Sequence, residues 1–74
     1  MRYSVSFVWN TYNRQGYLVK NVGLGYAGND FNAAIYDAER RSDNYGNAIL
    51  LDSWTGKELT FNYGHEVLNR YAVA

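Results

Sequence analysis

Hydrophobic and polar residues alternate from the start of the chain. Tyr3, Val5, Phe7 and Trp9 share one parity, and Arg2, Ser4 and Ser6 the other. That period is the mark of a half-buried β-strand. Asn10 to Gly16 is polar and turn-rich and predicts a hairpin loop. Tyr17 to Leu24 predicts the returning strand, with Lys20 and Asn21 leaving one face in water. Gly25, Gly28 and Asn29 then break the pattern, and the period lengthens. Phe31, Ala34, Ile35 and Ala38 fall at i, i+3, i+4 and i+7, one apolar stripe of a helix. Asn29 or Asp30 supplies its N-cap. Arg40 and Arg41 mark its far end, where cations meet the negative pole of the helix dipole.

Ser42 to Asn47 reads as a loop. Ala48 to Trp54 is nearly continuous in apolar residues and predicts a third, central strand. Thr55, Gly56 and Lys57 form a tight turn with Gly56 in the left-handed position. Glu58 to Tyr63 predicts a fourth strand, with Leu59, Phe61 and Tyr63 on one face. The tail from His65 fits two periods. Val67, Leu68 and Tyr71 suit a short helix, while Val67, Asn69, Tyr71 and Val73 alternate as a strand would. The helical period is preferred. The expected class is α+β, a four-stranded antiparallel sheet (β-β-α-β-β) with one helix on one face and a short C-terminal element.

Composition narrows the chemistry. The chain has 74 residues, seven basic and seven acidic side chains, one histidine, no cysteine and no proline. A single domain over residues 1–74 follows from the length. Disulfides and cysteine-ligated metals are excluded. The absence of thiols, of a signal-peptide pattern and of a long apolar run points to a cytoplasmic protein away from membranes. Zero net charge argues against a dedicated duplex-DNA binder. No cofactor is expected.

Gly23-Leu24-Gly25-Tyr26-Ala27-Gly28 is a literal G-x-G-x-x-G, with Asp52 ending the next strand. In a dinucleotide site such glycines admit a pyrophosphate and the acid holds a ribose. Here the strand before it carries Lys20 and Asn21, and the helix signals begin only after the third glycine. A glycine-rich turn is the preferred reading. His65-Glu66 lacks an activated nucleophile beside it, so no enzymatic activity is expected. Arg14 with Tyr12 and Tyr17, and Arg40-Arg41 with Tyr45, are basic-aromatic groupings of the kind that hold single-stranded nucleic acid.

Eight tyrosines, three phenylalanines and two tryptophans exceed what so small a core can absorb. Tyr3, Phe7, Phe31, Phe61 and one tryptophan suffice to fill it. Tyr12, Tyr26, Tyr36, Tyr45, Tyr63 and Tyr71 are then left partly exposed. Tyrosine and tryptophan are enriched at protein interfaces. The expected partner-binding residues are Tyr12, Arg14, Tyr45, Trp54 and Lys57.

Two resemblances add to this. Residues 2–7 (RYSVSF), 16–19 (GYLV) and 28–34 (GNDFNAA), with Ala38, look like the first half of HicB-type antitoxins, which implies a regulatory homodimer. The chain differs from that family at Val22 to Gly25, where the family has a proline-containing turn. Length, cysteine-poor composition and a helix after the first strand pair resemble small phage β-β-α-β inhibitors, anti-CRISPR proteins among them. That resemblance implies a non-catalytic protein that sterically blocks a host nucleoprotein complex such as a CRISPR effector. The alternatives are the HicB-like homodimer and a small module for single-stranded nucleic acid.

Overall fold

The computed structural model describes the backbone of residues 1–71 and the side chains of residues 1–67. Its elements are β1 (Tyr3–Tyr12), β2 (Leu18–Gly28), α1 (Phe31–Tyr45), β3 (Ala48–Asp52), β4 (Lys57–Asn62) and β5 (His65–Tyr71). All neighbouring strands are antiparallel, in the order β2-β1-β3-β4-β5. The class is α+β as expected, with five strands rather than four. The tail is a strand because Tyr63-Gly64 reverses the chain in two residues and lays it along the outer edge of β4.

α1 crosses one face of this sheet. Ala34 and Ala38 are fully buried, and their small side chains let the helix approach closely. Beneath them lie Tyr3, Val5 and Phe7 of β1, Ala48 and Leu50 of β3, and Leu59 and Phe61 of β4. Trp9 packs against this core, whereas Phe31 at the first helical turn is exposed. The surplus tyrosines Tyr12, Tyr36, Tyr45 and Tyr63 are exposed and Tyr26 is half-buried. Tyr71 lies outside the described side chains.

The helix begins where its cap predicts. The Asp30 side chain accepts the Ala33 N–H at 3.2 Å. Its end is later than Arg40 and Arg41 suggest. α1 runs four residues beyond Arg41 and stops at Gly46, which takes φ 85° as a left-handed C-cap. Tertiary contacts hold that extra turn. The Tyr45 ring stacks on Phe7 at 4.5 Å, and Ser42 is buried, accepting the Gly64 N–H at 2.8 Å. Arg40 and Arg41 are therefore mid-helix and pair with Asp37 at 3.2 and 3.4 Å instead of capping the dipole.

The β4–β5 turn is unusual in sequence. Tyr63 has φ 50° and Gly64 φ 85°. Two-residue turns of this kind favour Asn-Gly. A tyrosine there costs about 1–2 kcal/mol from the clash of its Cβ with the backbone.

At the other end, Arg2 closes the sheet. Its guanidinium donates to both Asp52 carboxylate oxygens at 3.0 and 2.9 Å. It also lies over the rings of Tyr3 and Trp54, 5.0 and 4.7 Å from their centroids. The hydrogen bond from Arg2 pulls the Asp52 pKa from 3.8 down to about 2. A depressed carboxylate pKa contributes stability that is complete above the unfolded value and lost as pH falls through the folded one. The wild type is expected to lose more Tm than Asp52→Asn between pH 5 and pH 2. Parallel melting curves for the two proteins over that window would contradict this coupling.

Candidate binding surface

The sheet has a face with no helix on it. The register places Ser4, Ser6 and Val8 of β1 on that face. Leu24 and Val22 of β2 sit opposite Ser6 and Val8, and Ile49 and Leu51 of β3 opposite Ser6 and Ser4. Toward the hairpin end the same alternation adds Tyr12 and Leu18. Leu18, Val22 and Leu24 are 60%, 65% and 80% exposed. Large side chains so exposed along one strand form an apolar surface of the kind that marks an interaction site.

β2 turns its bulk outward because its inner side is occupied. A Cβ on Gly23 would run into the rings of Phe7 and Trp9. One on Gly25 would fall on the Asp37 carboxylate, and one on Gly28 on the Tyr26 ring. None of these glycines has positive φ. The G-x-G-x-x-G stretch is thus neither a phosphate cradle nor a turn. It is strand, and each missing side chain makes room for another residue. A bulge sets Gly25 and Tyr26 against the single residue Val5. Asp37 accepts the freed Tyr26 N–H at 2.8 Å, and the Tyr26 hydroxyl accepts the Asp30 N–H at 2.9 Å. Asp52, the motif's would-be ribose acid, is engaged with Arg2.

The first hairpin projects. β3 pairs with β1 only from Tyr3 to Ser6. Asn47 extends the support by one position, its side chain exchanging two hydrogen bonds with the Val8 backbone at 2.9 and 2.7 Å. Beyond Trp9, whose ring meets Tyr45, β1 and β2 have only each other, and residues 10–20 are all exposed. The Asn13 side chain shapes the tip by accepting the N–H groups of Gln15 and Tyr17 at 3.0 and 2.9 Å.

The five residues expected at the interface do not share one site. Tyr12 and Arg14 stand on the arm and its tip. Trp54 is 72% exposed in the β3–β4 turn, and Lys57 follows it half-buried at the start of β4. That turn adjoins Arg2, because the Ser53 N–H donates to the Arg2 carbonyl. The length of β1 therefore lies between the two groups, about 30 Å at 3.3 Å per residue. Tyr45 packs on Phe7 and Trp9 at the base of the arm.

Residue type alone did not point to Leu18, Val22 and Leu24. Parity does so: residues 18, 20, 22 and 24 read Leu, Lys, Val, Leu, while 19, 21, 23 and 25 read Val, Asn, Gly, Gly. A zero net charge also hides a segregation. Arg2, Arg14 and Lys20 are the only charged side chains before Asp30, and all seven acids follow. The arm is basic and the remainder acidic.

No protein-family model, curated protein or solved structure matches the chain. Among the described residues no helix is long and apolar enough to cross a membrane.

Proposed function

We propose that the protein is a non-catalytic binding module that acts by covering a surface of a larger host nucleoprotein complex. Small phage inhibitors, anti-CRISPR proteins included, work in this way. The observation that carries the reading is the exposed apolar row Leu18, Val22 and Leu24 on the helix-free face, with Tyr12 beside it. Burying two such side chains against a partner contributes a few kcal/mol, enough to decide whether a complex forms.

Val22→Asp with Leu24→Asp tests this. Both side chains are exposed, so Tm is expected to change by only a few degrees. Capture from host lysate followed by affinity measurement is expected to show at least a 100-fold loss of partner binding. A folded double variant that retains the same complex at the same affinity refutes the assignment. On the HicB-like alternative a second copy pairs through an exposed strand edge, and a monomeric mass in light scattering across micromolar concentrations refutes it.

The arm supports a second reading. Tyr12, Tyr17, Arg14 and Lys20 stand on a ribbon with no carboxylate of its own, which suits contact with a single nucleic-acid strand. Oligonucleotide binding that weakens steeply with salt and is lost in Arg14→Ala/Lys20→Ala would favour it over the apolar face.

A further inference from the structure

On the helix side of the molecule, far from the apolar row, α1 and the β4–β5 turn enclose an open groove of 440 Å³. Tyr36, Glu39, Arg40 and Asp43 line it from one face of α1, and Tyr63 and His65 from the turn. Tyr36 and Tyr63 are 70% and 72% exposed, although they are among the largest side chains in the chain.

Tyr63 is held in place. It is the one non-glycine residue with positive φ among those described. The next residue, Gly64, donates its N–H to the buried Ser42 hydroxyl at 2.8 Å, and that hydroxyl donates to the Glu39 carbonyl at 2.9 Å. A Cβ on Gly46 would lie 3.5 Å from the Tyr63 ring, so the ring rests on the helix cap. The tyrosine is thus positioned at the groove at a backbone angle that opposes it, with most of its surface left in water. Backbone strain of this sort gathers at binding sites.

The charges of the groove are unbalanced. The Arg40 guanidinium is drawn to Asp37 at 3.2 Å. Glu39 and Asp43, one turn apart, form no ion pair with a described residue. Like charges at this spacing repel. Among the described residues no three His, Asp or Glu side chains gather as a metal site requires. The cation that suits the groove is therefore organic, and a planar guanidinium meets both tyrosine faces and carboxylates well.

We propose that this groove receives an arginine side chain of a partner protein, with Tyr36 and Tyr63 against the guanidinium plane and Glu39 and Asp43 taking its N–H groups. The inference deepens the reading of the chain as a protein-binding module, but its test is independent of the apolar face. ¹⁵N-resolved NMR spectra are recorded while N-acetyl-arginine amide is added, and separately N-acetyl-citrulline amide, its uncharged isostere. Saturable shifts at the Tyr36, Gly64 and His65 amides are expected with arginine at millimolar concentration and not with citrulline. Glu39→Gln/Asp43→Asn is expected to weaken binding at least tenfold. Tyr63→Asn, which suits the turn better, is expected to raise Tm while weakening binding at least threefold. No saturable shift at these amides, an equal response to citrulline, or either variant binding as well as wild type overturns the proposal. Such a result leaves the assignment of the helix-free face untouched, because that rests on the Val22/Leu24 variant alone.

Discussion

Asp37→Ala is expected to destabilise the fold by about 2–3 kcal/mol, because it leaves a half-buried amide without its acceptor and two arginines without their counterion. In a domain of this size that is a fall of roughly 10–20 °C in Tm. The reason lies in the bulge of β2. Two residues there face one on β1, so the ladder cannot satisfy the Tyr26 N–H, and Asp37 reaches from the helix to accept it. The carboxylate needs the space over Gly25 to do so. Gly25→Ala alone is therefore expected to cost about 1–3 kcal/mol through crowding. In the Asp37→Ala background the same change meets only the Arg41 guanidinium, at 3.4 Å, and costs less. A double-mutant cycle by urea denaturation reads the difference as a coupling energy of about 1–2 kcal/mol. Additive effects of the two substitutions would contradict this account of the bulge.

Gly23→Val sets two effects against each other. Valine favours a strand over glycine by up to ~1 kcal/mol. Its side chain, however, would enter the space held by the rings of Phe7 and Trp9. Those rings have little freedom to retreat. Phe7 is stacked on Tyr45 and Trp9 at 4.5 and 5.6 Å, with the Arg41 guanidinium 5.1 Å from its ring centre. Overpacking is expected to win by about 1–3 kcal/mol net. In a Trp54→Phe background the emission of Trp9 should shift to the red as its ring is pushed toward water. A Gly23→Val protein as stable as wild type, with unchanged emission, would show that the glycine is not filled by those rings.

The two cases also show where the sequence was readable. β1 announced itself through Tyr3, Val5 and Phe7 because a strand with one buried face must alternate, and the Asp30 cap fixed the helix start because orphan N–H groups need an acceptor nearby. Both signals are local. The helix end was misplaced because Ser42 to Tyr45 are poor helix formers held by distant partners, Phe7 and Gly64. β5 was misread because a Tyr63-Gly64 reversal has no ordinary turn signature. The glycine stretch was misread for a related reason. A glycine says only that a side chain is missing, and what fills its place here comes from β1, from α1 and from Tyr26. Of the interface residues, exposure of Tyr12 and Trp54 was legible from the surplus of aromatics. Their separation was not, since it depends on which end of β1 each turn adjoins.

The unsupported arm has one more consequence. Asn13 and Gly16 shape its tip, but Tyr12, Arg14, Gln15 and Tyr17 touch no part of the core. Substitution at those four positions is answerable to whatever the arm meets and hardly at all to folding. On the reading of the arm as a contact surface proposed above, its specificity can be rewritten while the frame beneath it stays constant, and a new target does not require the fold to be regained.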